Sequence, residues 1–264
     1  RWSLRDALIG FPSKDKFELT VDGNLVLSSQ KDESVIKNTR GVYYLEDNRW
    51  EGTGGRADWS RFNIPADKIY VTLPDFYTLN LSRSEYAIDS VMFHERQHFE
   101  QDILCRYEDK VLVNAPNEKT SYPSVRSYRS DYEIPNIMSN IDFEGGIGML
   151  GNQVEVFGGV KNKAVFHFHQ GGRRVMSVEA PQFVMSVDEL LVSNHVALRL
   201  YLLDTVTGVT MDSLYHNNLS FRYDNKTRKM MAFRSEKDYD GPFHDYYHGL
   251  DIFVEALYWS IDGN

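Results

Sequence analysis

His94-Glu95-Arg96-Gln97-His98 is the stretch that most constrains how this chain can fold. Two imidazoles four residues apart share one face if the backbone between them is helical. On such a helix the pair can hold one Zn²⁺, with Glu95 placed as general base toward a metal-bound water. The flanking residues fit a helix. Ser82-Arg83-Ser84-Glu85 has the spacing of a capping box. Ile88, Val91, Met92, Phe99 and Ile103 recur at helical intervals as one apolar stripe. His94, His98, Gln101 and Cys105 line a neighbouring stripe with Ala87. The spacing predicts a helix from near Ser84 to near Tyr107, stopped by Glu108-Asp109-Lys110 and then Asn114-Ala115-Pro116-Asn117.

Gln101 extends the motif to HExxHxxQ, and Tyr128-Arg129-Ser130-Asp131-Tyr132-Glu133 follows downstream. From about Ile69 to Glu133 the chain resembles the zincin-like metallopeptidases, in which HExxHxxQ precedes a Tyr/Arg-rich segment ending in a ligand Glu. The resemblance implies a zinc-dependent peptidase acting on a peptide or protein. His94, His98 and Glu133 would hold Zn²⁺, and Glu95 would serve as base. Such a metal lowers the pKa of its water toward ~7, and the base passes the proton to the leaving amine. Tyr132 and His169 are candidate oxyanion or substrate donors; the residues select neither. Ile69-Tyr70-Val71-Thr72-Leu73 reads as a short strand, which the resemblance makes a cleft edge for an extended peptide. Arg96 and Glu100 depart from the uncharged and apolar residues usual at their places. Pro135 interrupts a helix at Glu133 or begins one, so Asp131, Asp142 and Glu144 stand as alternative third ligands.

The rest of the chain predicts an α+β fold. Its parts are the motif helix, a mixed or antiparallel sheet, and a strand-rich second half with two further helices. Residues 1–145 form the motif-bearing region, and 146–264 complete the fold or make a second subdomain. Phe17 to Leu27 reads as a hairpin turning at Asp22-Gly23. Glu51 to Ala57 reads as a glycine-rich mobile loop, and Val113 to Pro135 as a long polar loop. Gly145 to Gly159 reads as a glycine-rich joint. Ala164 to His169 alternates like a strand that turns at Gln170-Gly171-Gly172-Arg173 and returns to Val178. His167 and His169 share one face of it, which reads first as an exposed polar face on a half-buried strand and second as a metal site or a nuclease-type His motif. Ser186 to Leu203 predicts an amphipathic helix, Ser220 to Arg234 a hairpin around Asn225-Lys226, and Phe243 to Ile261 a last aromatic-rich helix. That helix would carry a second pair, His244 and His248. Glu95-x-x-His98 and Asp245-x-x-His248 also mimic the ligand pairs of di-iron bundles, but the strand signals argue against a bundle.

Composition narrows the partners. A formal charge of −9 excludes nucleic acid as a main partner. No apolar run approaches the ~18 residues of a membrane span. Cys105 is alone, so no internal disulfide forms. Arg1-Trp2-Ser3 has neither Met nor a signal pattern, which reads as a piece or processed product of a longer protein. Aromatic residues make up 13% of the chain, enough to carry protein contacts. A non-enzymatic assembly subunit of a virion or large complex is therefore the alternative, with HExxH incidental or a structural metal site.

Overall fold

The computed structural model describes residues 1–11, 18–113, 121–186, 190–204, 207, 210–234 and 241–261. Among them the fold is antiparallel β, and the one helical element is a three-residue 3-10 turn, Ser60–Phe62. The α+β expectation with a zincin-like active-site helix is therefore overturned. The chain divides into two compact units: residues 1–128 with 148–152, and residues 129–147 with 153–264.

The first unit holds β1 (Trp2–Gly10), β2 (Glu18–Ser28), β3 (Glu33–Tyr44), β4 (Arg49–Thr53), β5 (Arg56–Asp58), β6 (Ile69–Thr72), β7 (Tyr77–Asn80), β8 (Glu85–Glu95), β9 (Ile103–Lys110) and β10 (Ser124–Ser127). One sheet runs β1-β2-β3-β4-β7. The other runs from β3 through β5, β6, β8, β9 and β10. The two sheets meet through aromatic rings: Trp2 of β1 lies 5.5 Å from Tyr86 of β8. Trp50 is fully buried, and two glycines make room for it. A Cβ on Gly41 would come within 2.6 Å of the indole, and one on Gly52 within 2.4 Å of its nitrogen. The expected hairpin turn at Asp22-Gly23 is instead a bulge inside the continuous strand β2.

The second unit adds β11 (Tyr132–Met138), β12 (Ile141–Leu150), β13 (Gln153–Phe157), β14 (Ala164–Gln170), β15 (Arg173–Ala180), β16 (Gln182–Met185), β17 (Leu190–Leu203), β18 (Thr210–Asp224), β19 (Lys229–Phe233), β20 (Phe243–Asp245), β21 (Leu250–Ile252) and β22 (Ala256–Ser260). The last residues of β12 belong to the first unit, where they pair with β10. The long strands β17 and β18 serve two sheets. One contains β11-β12-β14-β15-β17-β18-β20-β21, the other β13-β16-β17-β18-β19-β22. Phe166 of β14 packs edge-on against Phe183 of β16 at 4.9 Å, and Phe168 packs against Tyr223 of β18 at 5.0 Å. These aromatic pairs fill the space between the sheets.

Each expected helix fails for a physical reason. In β8 the buried residues are Tyr86, Ile88, Val91, Phe93 and Glu95, a strand alternation broken once. The break is a bulge, with Ser90 at φ 58° and a register shift between Ile88 and Val91. A bulge inserts one residue and turns a spacing of two into three, which imitates a helical interval. The bulge amide is satisfied by the Tyr128 hydroxyl, which in turn donates to Asp89. The predicted helix at Ser186–Leu203 is β17, with the same disguise: His195 lies at φ 59° in a bulge between Ser193 and Val196. Residues 187–189 of that stretch lie outside the described residues. Phe243 to Ile261 is three short strands, the first two joined through a turn with Gly249 at φ 63°.

Candidate functional site

The zinc site is not formed. Among the described residues no group of three His, Cys, Asp or Glu side chains is placed to hold a metal ion. His94 ends β8 one residue before its last, and His98 lies in the turn that follows. The buried Glu95 carboxylate accepts the backbone N–H groups of Gln97 at 3.1 Å and His98 at 2.9 Å. It also meets His98 Nδ1 at 3.1 Å. Glu95 therefore closes a turn, with its oxygens spent on that turn, and the metallopeptidase reading falls with its base and its cofactor. Glu133 sits on β11 opposite Glu144 of β12 in the second unit. Asp131 binds Arg129 at 2.8 Å, and this hydrogen bond holds its carboxyl below the usual range. Tyr132 lies under the Arg129 guanidinium. Asp142 accepts the Asn136 N–H, and His169 Nδ1 lies 3.7 Å from Asp142. The strand expected at Ile69–Leu73 exists as β6, but it pairs on both sides, with β5 and β8, so it offers no edge to a peptide.

The same turn chemistry recurs in the second unit. Phe93-His94-Glu95-x-x-His98 corresponds to Phe243-His244-Asp245-x-x-His248. Asp245 accepts the N–H groups of Tyr247 and His248 and binds His248 Nδ1 at 2.8 Å. Its carboxyl is held low, chiefly by the His248 side chain. The first histidine of each motif binds an aspartate: His94 to Asp102 at 3.0 Å and His244 to Asp251 at 2.8 Å. Each also faces a tyrosine on the adjacent strand, Tyr70 opposite His94 and Tyr215 opposite His244. An arginine lies over each tyrosine ring, Arg56 at 3.4 Å and Arg199 at 4.8 Å. An Arg–Tyr–His–Asp constellation thus stands on the sheet surface of both units.

In the second unit this constellation is the end of a longer row. Asp142 pairs with His167, His167 with Ser177, Ser177 with Arg199, Arg199 with Tyr215, Tyr215 with His244, and His244 with Asp251. Directly paired residues in adjacent strands point to the same face, so seven polar side chains line up across seven strands. Hydrogen bonds tie part of the row together. His167 spans Ser177 at 2.8 Å and Glu144 at 3.0 Å, and the Ser177 hydroxyl meets the Tyr201 hydroxyl at 3.1 Å. Burial, together with Arg174, depresses the His167 pKa, so at neutral pH one ring nitrogen donates and the other accepts. A Ser–His–Glu chain at these distances invites comparison with a hydrolytic triad. Ser177 lies within the sheet, flanked by β14 and β17, whose backbone groups are paired along the ladder. The arrangement suits hydrogen bonding to a bound molecule better than stabilising an oxyanion. The row was hidden in the sequence because the helix expected at Ser186–Leu203 scatters Arg199 and Tyr201. The alternation Arg199-Leu200-Tyr201 is a strand signal that puts Arg199 and Tyr201 on one face, but it does not show the row itself.

A different surface lies at the second unit's edge. Tyr246, Tyr247, Leu250, Phe253, Val254 and Tyr258 are exposed, Phe253 and Tyr258 by 71% and 72%. Among the described residues β22 pairs with β19 alone and β21 with β20 alone. In the first unit β1 pairs, among the described residues, with β2 alone, and Leu8 and Phe11 at its end are 79% and 75% exposed. No helix among the described residues is long and apolar enough to cross a membrane. Compared with protein-family models, curated proteins and solved structures, the chain matches none.

Proposed function

We propose that this chain is a non-catalytic assembly module that joins further copies of itself through edge strands. The observation that carries this reading is the exposed apolar and aromatic cluster from Tyr246 to Tyr258, on and around β21 and β22. Unprotected edges are paired in nature by a strand from a partner, and edge strands that stay free are usually blunted by charge or proline. β22, Ala256-Leu257-Tyr258-Trp259-Ser260, has neither. An exposed apolar cluster of this kind marks a contact surface. The chain itself supplies a complement, since the end of β1 presents Leu8 and Ile9 on a second open edge. Two unlike edges on one chain support head-to-tail contact between copies.

Sedimentation velocity over a concentration series tests this. The mass should rise above the 30.6 kDa of one chain as concentration increases. Tyr258→Lys, at an exposed position, should hold the protein at one chain without altering its melting temperature. A wild-type protein that stays at one chain throughout the series would remove the reading.

A further inference from the structure

We infer that the polar row across the second unit binds a linear, hydroxyl-rich polysaccharide, laid perpendicular to the strands. This goes beyond the assembly reading and uses a different face of the chain. Adjacent strands lie about 4.8 Å apart, so a row over seven strands offers a new side chain at each step over roughly 29 Å. Pyranose units in an extended chain advance by a comparable distance. The side chains have the chemistry that sugars need. Asp142, Arg199 and Asp251 carry planar groups able to engage neighbouring hydroxyls with paired hydrogen bonds, and His244, with Nδ1 bound to Asp251, has Nε2 for a single one. Tyr215 adds an aromatic ring with a polar tip. Asp251 is exposed and Asp142, Ser177, Arg199, Tyr215 and His244 are half-buried, while His167 is buried between Asp142 and Ser177, so the row opens to solvent from Ser177 to Asp251 and again at Asp142.

Other ligand classes fit less well. Carboxylates at both ends of the row and a net charge of −9 disfavour a phosphate backbone. The row lies on the face of the sheet, where backbone groups are already spent on neighbouring strands, so a protein strand cannot be added there. The centre of a protein interface is also depleted in charge, whereas the centre of this row is Arg199.

The test is native electrophoresis of the full chain through gels containing a soluble β-glucan, a xylan, a mannan or a polyuronate. Dissociation constants follow by calorimetry on the retarding polymer. At least one polymer should retard the wild type. Arg199→Ala and Tyr215→Ala should each weaken binding about tenfold, Tyr215→Phe should retain it, and the double alanine variant should migrate freely. If that variant is misfolded by circular dichroism, Asp251→Asn at the exposed end provides the same comparison. Tyr258→Lys should bind like wild type, which separates this site from the assembly edge. Free migration of the wild type in all four gels would overturn the proposal. So would equal retardation of folded wild type and row variants. Loss of self-association in the row variants without any polysaccharide binding would make the row a protein contact and would also overturn it.

Discussion

Replacing Arg61 by methionine should destabilise the first unit by about 3–5 kcal/mol, seen as a fall of roughly 10–20 °C in the midpoint of its thermal transition. Arg61 leaves the 3-10 turn and enters a buried cluster with two carboxylates. Its guanidinium lies 3.1 and 3.2 Å from the Asp32 oxygens and binds Asp109 directly. Asp32 and Asp109 are themselves buried. Asp109 also accepts from Ser34, from the Tyr107 hydroxyl at 3.1 Å and from the Lys110 N–H at 2.7 Å. Asp32 accepts the Leu112 N–H at 2.7 Å. Methionine would fill much of the volume but leave both carboxylates without their cation.

The pH dependence of that variant is part of the expectation. Burial raises the Asp109 pKa above 3.8, and Arg61 opposes the rise. A carboxyl raised on folding binds more protons in the native state than in the unfolded one. Its contribution to stability is therefore complete below pH 3.8 and is lost as pH climbs through the native value. Removing Arg61 takes away the largest force holding that value down, so the loss widens as pH rises. The difference in stability between Arg61→Met and wild type should be smaller near pH 4.5 than at pH 8. A difference that grows on acidification would contradict this view of the cluster. Burial works against the charged guanidinium as well, but Asp109 and then Asp32 outweigh it, so its pKa is raised and it stays charged throughout.

Glu95→Ala should cost about 2–4 kcal/mol, whereas Glu95→Gln should cost about 1 kcal/mol by keeping one oxygen acceptor. The alanine variant abandons two backbone N–H groups and the His98 ring behind a side chain that is itself buried. A catalytic base behaves differently. Its removal spares or raises stability, because active-site groups are commonly held under strain. Chemical denaturation of the three proteins distinguishes the roles. Equal or greater stability of Glu95→Ala would show that the carboxylate does not hold the turn.

Local β signals were legible in the sequence where nothing interrupted them. Ala164 to His169 alternates cleanly, and its turn and return strand stand as read, as β14 and β15. The hairpin around Asn225-Lys226 is formed by β18 and β19. Two of the three mistaken helices contain a positive-φ residue other than glycine, Ser90 or His195, where a bulge shifts the phase of a strand. Neither residue type announces a bulge, because the backbone conformation is imposed by neighbouring strands. HExxH added weight to the wrong period, since its chemistry presumes a helix. Its true role was visible only through Glu95, whose short reach to the next amides is the chemistry of a capped turn. The polar row was illegible for a further reason. Its members come from seven strands and meet only through sheet register, which no local pattern encodes.

Backbone chemical shifts of residues 84–107, measured by NMR on the full chain, distinguish strand from helix at the HExxH motif. Extended-strand Cα and Cβ shifts are expected over Glu85–Glu95 and Ile103–Tyr107, with a break at Ser90 and a turn at residues 96–102. Continuous helical shifts from Ser84 to Tyr107 would contradict the strand assignment and would restore His94 and His98 to one helix face.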